Sequence, residues 1–85
     1  MGKVIYKYVV RRHGNRMMKV GVVLASGRDE IGWSMCNYKA GDKFDRSVAV
    51  SLAMKRASAM DEVCPVSLVE DYQYMVDRAM RYFKK

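Results

Sequence analysis

Val4, Tyr6, Tyr8 and Val10 stand at even positions with Ile5, Lys7 and Val9 between them, and this β-branched and aromatic alternation predicts a strand rather than a helix. His13-Gly14-Asn15 follows, residues that tolerate positive φ and suit a hairpin connection. Met18, Val20, Val22 and Leu24 then form an inward row opposite Met17, Lys19, Gly21 and Val23. After a second turn at Ser26-Gly27-Arg28-Asp29, Ile31, Trp33 and Met35 share one face of a third strand, with Gly32, Ser34 and Cys36 on the other. The pattern is that of a three-stranded antiparallel meander.

The period then changes. Asn37 to Lys43 reads as a loop, and Asp45 is placed to cap a helix that begins near Arg46. On it Val48, Leu52 and Ala59 cluster on one side; Ala49, Ala53, Ala57, Val50, Met54 and Met60 continue round it, which predicts a largely buried helix packed through its alanines. Pro65 closes the connection, and Ser67 with Glu70 three residues later has the spacing of a capping box. Leu68, Tyr72, Met75, Ala79 and Phe83 mark the inner face of the last helix, with Glu70 and Asp71 near its start and Arg78, Arg81, Lys84 and Lys85 near its end, as the helix dipole favours. The expected fold is α+β: a three-stranded antiparallel sheet followed by two helices packed on one face, in the order β-β-β-α-α. The buried face would carry Tyr6, Tyr8, Val20, Val22 and Trp33.

A chain of 85 residues forms one domain, 1–85, and buries roughly 60–65% of the surface its unfolded form exposes, which leaves little room for a deep catalytic pocket. Charge changes the picture more. Of the net +7, six units come from Lys3, Lys7, Arg11, Arg12, Arg16 and Lys19, in a stretch to Val22 that holds no Asp or Glu. Lys3, Lys7 and Arg11 have the parity opposite the tyrosines, so with the tyrosines facing the helices they would line an open sheet face, and Arg12, Arg16 and Lys19 would extend it round the turn. Such a ribbon suits an anionic partner, since Lys and Arg neutralise phosphates without reading sequence. The competing reading is a set of solubilising charges that blunt a sheet face and edge. A second candidate surface is Tyr74, Arg78 and Arg81 on the outer face of the last helix, where an aromatic ring beside guanidinium groups can stack on bases or anchor a protein; there the alternative is a solvated face with an Asp77 to Arg81 pair.

Chemistry of other kinds finds little support. His13 is the only histidine, and no Ser or Cys lies in a nucleophile motif, so no catalytic residue is expected and the chain reads as a non-enzyme. Cys36 and Cys64 are 28 residues apart without a second Cys or His nearby, which predicts two reduced, mostly buried thiols and no zinc site. Asp42 and Asp45 lack the spacing of an EF-hand loop, no phosphate-binding glycine loop is present, and neither a metal nor another cofactor is expected. Of the eight methionines most read as core, with Met17, next to Met18 on a strand, the exposed exception; Trp33 reads as core. Val4 to Val10 is too short and too charged for a secretory or membrane-spanning segment, so a soluble intracellular protein without membrane contact is expected.

Ile31-Gly32-Trp33-Ser34-Met35-Cys36-Asn37, then Asp42-Lys43-Phe44-Asp45-Arg46, then an alanine-rich helix ending Lys55-Arg56-Ala57 form a block that resembles small accessory proteins of tailed bacteriophages. In that group a G-x-S-x-C strand runs through a D-x-F-[DSN]-[KR] loop into a helix ending R-A; the present chain has Ala49 where a glycine often stands in the first helical turn. The resemblance covers about a third of the chain. It implies a phage-encoded accessory protein in the cytoplasm of an infected bacterial host and supplies no activity or catalytic residues. Two functions remain: a small basic, non-catalytic protein that binds nucleic acid or a nucleoprotein complex through its N-terminal hairpin, or an anti-defence, anti-CRISPR-like inhibitor that binds a host protein complex.

Overall fold

The computed structural model describes residues 3–41, 43–59 and 64–83. Three strands, β1 (Ile5–His13), β2 (Arg16–Gly27) and β3 (Glu30–Met35), precede two helices, α1 (Arg46–Ala59) and α2 (Val69–Tyr82), with single turns of 3₁₀ helix at Tyr38–Ala40 and Val66–Leu68. The strands pair antiparallel in the order β1-β2-β3, so the α+β meander is as expected and β2 is central. The first hairpin closes between His13 and Arg16 over Gly14-Asn15, with Gly14 at φ 65, a conformation open to glycine at no steric cost. Asp45 caps α1, its Oδ1 accepting the Val48 backbone N–H at 3.2 Å. Asp42, Met60, Lys84 and Lys85 lie outside the described residues.

The helices do not share a face. Val22 and Leu24 pack with Ala49, Ala53 and Ala57 of α1, whereas Val23 and Ala25, of opposite parity on the same strand, pack with Leu68, Met75 and Ala79 at α2. The sheet is therefore sandwiched, with α1 on one side and α2 on the other, and every residue of β2 from Val20 to Ala25 is buried. The continuous apolar run of a strand covered on both faces replaces the alternation of a half-exposed one.

A β-bulge breaks the expected inward row. The register passes from Val9–Gly21 to Val10–Lys19, leaving Val20 as the extra residue, so Met18 and Val20 face α2 while Val22 and Leu24 face α1. Tyr6, Tyr8 and Val22 thus look toward the α1 side; Val20 and Trp33 look toward the α2 side.

On α1 the buried stripe is Ala49, Ala53 and Ala57; Val48, Leu52 and Ala59 are exposed, contrary to expectation. The cause is close approach. Gly32 of β3 lies beneath the helix, where a Cβ would stand 2.7 Å from the Ala53 carbonyl carbon and 2.8 Å from the Ala57 nitrogen, and the Ser34 hydroxyl donates to the Ala49 carbonyl at 2.7 Å. At that separation small side chains alone fit between helix and sheet. Nor does the Ser67–Glu70 capping box form: the 3₁₀ turn after Pro65 leads straight into α2, and Leu68 stands at its N-cap without a side-chain bond.

Candidate nucleic-acid interface

The face of β1 expected to be open is the one that α2 covers. Asp71, in the first turn of α2, takes Lys7 Nζ on Oδ1 at 3.1 Å and Arg11 Nη2 on Oδ2 at 2.9 Å, and Arg11 also donates to the Ser67 carbonyl at 2.6 Å. Burial raises the Asp71 carboxyl, but the hydrogen bonds and positive charge of Arg11 and Lys7 outweigh it and hold it below the usual carboxylate range. Lys7 and Arg11 are thus a clamp that ties α2 to β1. They are not part of an open basic face.

The other cations separate into groups. Lys3, Arg12, Arg16 and Lys19 are exposed, and none of them makes an ion pair with a described residue. Met17, opposite Arg12, is 62% exposed, as expected. In the second candidate cluster the members divide. Tyr74 lies under Lys7, whose Nζ is 4.6 Å from the ring centroid; Arg78 reaches the Tyr6 carbonyl at 3.5 Å; Arg81 stands exposed further along α2. Tyr74 and Arg78 therefore join the β1 edge instead of forming a surface of their own.

On the α1 side of that edge lies a group the sequence pattern assigned to the core. Packing of α1 is onto β2 and β3, which leaves the outer strand uncovered on this side and Tyr6 38% exposed. Tyr6 meets Tyr8 edge to face at 5.4 Å, and Tyr8 meets Phe44 in the same way at 5.9 Å. Arg46, the first residue of α1, donates from Nη2 to the Tyr6 hydroxyl at 3.3 Å with its guanidinium carbon 5.6 Å from the ring centroid. Lys19 Nζ sits 4.3 Å from the centre of the Tyr8 ring. The Tyr8 hydroxyl and then Arg46 lower the Tyr6 phenol below its ordinary value; burial and the shared hydrogen bond raise Tyr8. Sequence reasoning missed Tyr6 and Arg46 as surface groups, while Tyr8 is half-buried against the Val22 and Leu24 cluster beneath them. The signal was the unbroken run Val20-Gly21-Val22-Val23-Leu24-Ala25, which calls for cover on both faces of the central strand and hence one helix per face.

Trp33 is half-buried on the α2 side, not enclosed. Arg56 of α1 wraps the β3 edge to stack on it at 3.9 Å and donates to its carbonyl at 3.0 Å. Its indole Nε1 is buried without a hydrogen-bond partner, beside a cleft of about 400 Å³ that Asn37, Tyr38 and Pro65 also line. A second cleft of about 240 Å³ lies between Phe44, Val48 and Leu52. Cys36 and Cys64 are half-buried thiols, and burial, then the Asp71 charge, pushes Cys64 up, away from the reactive thiolate. Among the described residues no three His, Cys, Asp or Glu side chains come together as a metal-binding group, and no helix is long and apolar enough to cross a membrane. No protein family, curated protein or solved structure matches the chain.

Proposed function

We propose that this protein is a non-catalytic nucleic-acid-binding protein whose contact surface is the outer edge of β1 together with the distal half of the β1–β2 hairpin. The observation that carries the reading is the distribution of cations after internal pairing is accounted for. Arg12, Arg16 and Lys19 stand exposed on the hairpin, Arg46 and Arg78 converge on Tyr6 from the two helices, and the sequence holds no carboxylate before Asp29. Asp45, the acidic residue beside Arg46, is engaged as the cap of α1. A positive edge of this kind attracts a polyanion by neutralising phosphates and releasing counterions. The block that resembles phage accessory proteins supplies β3, the Phe44 loop and α1. It is the scaffold that sets Arg46 beside Tyr6 and not the surface itself.

The test is fluorescence anisotropy with labelled oligo(dT) and with a duplex of equal length, across salt from about 50 to 200 mM. Binding should weaken linearly in log K against log salt. Replacing Arg12 and Arg16 together by Ser should lower the slope by about 1.4 on single strands or 1.8 on duplex and leave the melting curve unchanged. Arg11 is left intact in this variant because it holds Asp71. Absence of salt-dependent affinity for either probe would overturn the reading in favour of a protein target in the host.

A further inference from the structure

We propose that the preferred ligand is a single strand, with an unpaired base stacked on the ring of Tyr6 while Arg46, Lys19 and Arg12 hold the phosphates on either side. The inference rests on the nucleic-acid reading above and narrows it to one chemical class.

Three features lead there. First, Tyr6 is fixed before any ligand arrives: Tyr8 braces it edge to face, Phe44 braces Tyr8, and Arg46 binds its hydroxyl. A ring held in this way loses little rotamer freedom when a base settles on it. Second, the ring lies on the uncovered side of the edge strand β1 and not at the end of a narrow probe. Paired bases hide their faces inside the duplex stack, so a ring on such a surface can meet the face of an unpaired base only. Third, the neighbouring charges are spaced along the strand. Tyr6, Tyr8, Val10 and Arg12 share one side of β1, and the distance from Tyr6 to Arg12 is about 20 Å of extended chain. Lys19 lies between them on β2, opposite Val10. Cations flank the aromatic and apolar side chains of that line, Arg46 at Tyr6, Lys19 at Tyr8 and Val10, and Arg12 at the far end, so phosphates can be held beside a base on the ring.

The two clefts offer less. Beside Trp33, Arg56 is stacked at 3.9 Å on a half-buried ring, whereas Arg46 stands 5.6 Å from the centre of the exposed Tyr6 ring; the cleft beside Phe44 presents apolar walls with nothing to choose an occupant.

The experiment compares oligo(dT) with duplex for the wild type, Tyr6→Leu and Tyr6→Phe. At equal salt the wild type should bind oligo(dT) more tightly than duplex. Tyr6→Leu should lose roughly 5- to 150-fold on oligo(dT), with the salt slope and the duplex affinity unchanged, because a stacking contact releases no counterion. Tyr6→Phe keeps the ring and its brace by Tyr8 but loses the Arg46 bond to the hydroxyl, so it should lose far less on oligo(dT) than Tyr6→Leu. Fluorescence of Trp33, which lies on the opposite side of the sheet, reports whether each variant is folded. As a measurement independent of any variant, the Tyr6 ring resonances of the wild type should move on addition of oligo(dT) and stay in place on addition of duplex. Duplex binding as tight as oligo(dT), or Tyr6 resonances that stay in place with oligo(dT) bound, would overturn the stacking proposal while a salt-dependent affinity kept the parent reading. Loss of salt-dependent affinity for both probes would remove the two together.

Discussion

Replacing Gly32 by Ala adds one methyl group at the point where α1 lies closest to the sheet. The new Cβ would sit 2.7 Å from the Ala53 carbonyl carbon and 2.8 Å from the Ala57 nitrogen, where ordinary contact begins at 3.4 Å. Both obstacles are backbone atoms, so no side-chain rotation relieves them and α1 has to retreat. A retreating helix loosens Ala49, Ala53 and Ala57 from Val22 and Leu24. It also strains the bond from the Ser34 hydroxyl to the Ala49 carbonyl, in a residue that is 2% exposed. Overpacking of this kind costs about 1–3 kcal/mol, and loss of the buried hydroxyl's partner moves the value toward the upper end. In a domain of this size each kcal/mol lowers Tm by about 4–8 °C, so a fall of roughly 4–24 °C is expected in a thermal melt followed by circular dichroism. Gly27→Ala is the control, because its Cβ would meet the flexible Glu30 side chain alone, at 3.3 Å; it should stay within about 2–4 °C of the wild type. If the two variants melt together, α1 is not seated over Gly32, and the placement of Arg46 beside Tyr6 loses its support.

Asp71→Asn should destabilise by about 1 kcal/mol, a modest figure because the Lys7 and Arg11 side chains are 40% and 30% exposed. The folded Asp71 carboxyl lies below its unfolded value, so its contribution is complete above the ordinary carboxylate range and disappears as pH falls through the folded value. Urea melts should therefore separate the wild type from Asp71→Asn at about pH 7, and the gap should narrow as pH falls below the ordinary carboxylate range; a difference that stays constant on acidification would refute the charge-based account. Trp33→Ala should cost about 3 kcal/mol, the low end for a large aromatic because Trp33 is half-buried, and a shift of about a degree or two in the melt would show that its packing on the α2 side contributes little.

The local pattern by itself determined the type and order of the elements. Alternation along Val4–Val10 and Ile31–Cys36, the turn at Gly14-Asn15 and the Asp45 cap act over a few residues, and strand parity is a matter of period two. Parity also correctly separated Lys7 and Arg11 from Tyr6 and Tyr8. Which side of the sheet each helix would cover was decided by tertiary structure. The bulge at Val20 shifts the phase of β2 halfway along, and one residue of slip exchanges the two faces. The apolar run through Ala25 then requires a helix on each side, and Gly32 lets α1 come close enough to bury alanines while Val48 and Leu52 remain exposed.

The candidate site follows from that decision. Six cations between Lys3 and Lys19 were legible as charge, but the partner of two of them, Asp71, lies 60 and 64 residues away, and no local spacing announces such a pairing. Tyr6 and Tyr8 likewise read as core from composition; Tyr8 does pack on the Val22 and Leu24 side, half-buried, while Tyr6 surfaces because a helix narrower than the sheet leaves the outer strand bare on its side. Residue types and their periodicity are properties of the chain. Exposure, pairing and the company each side chain keeps are set by contacts between segments far apart in sequence, where close packing chooses among faces that the local pattern leaves equivalent.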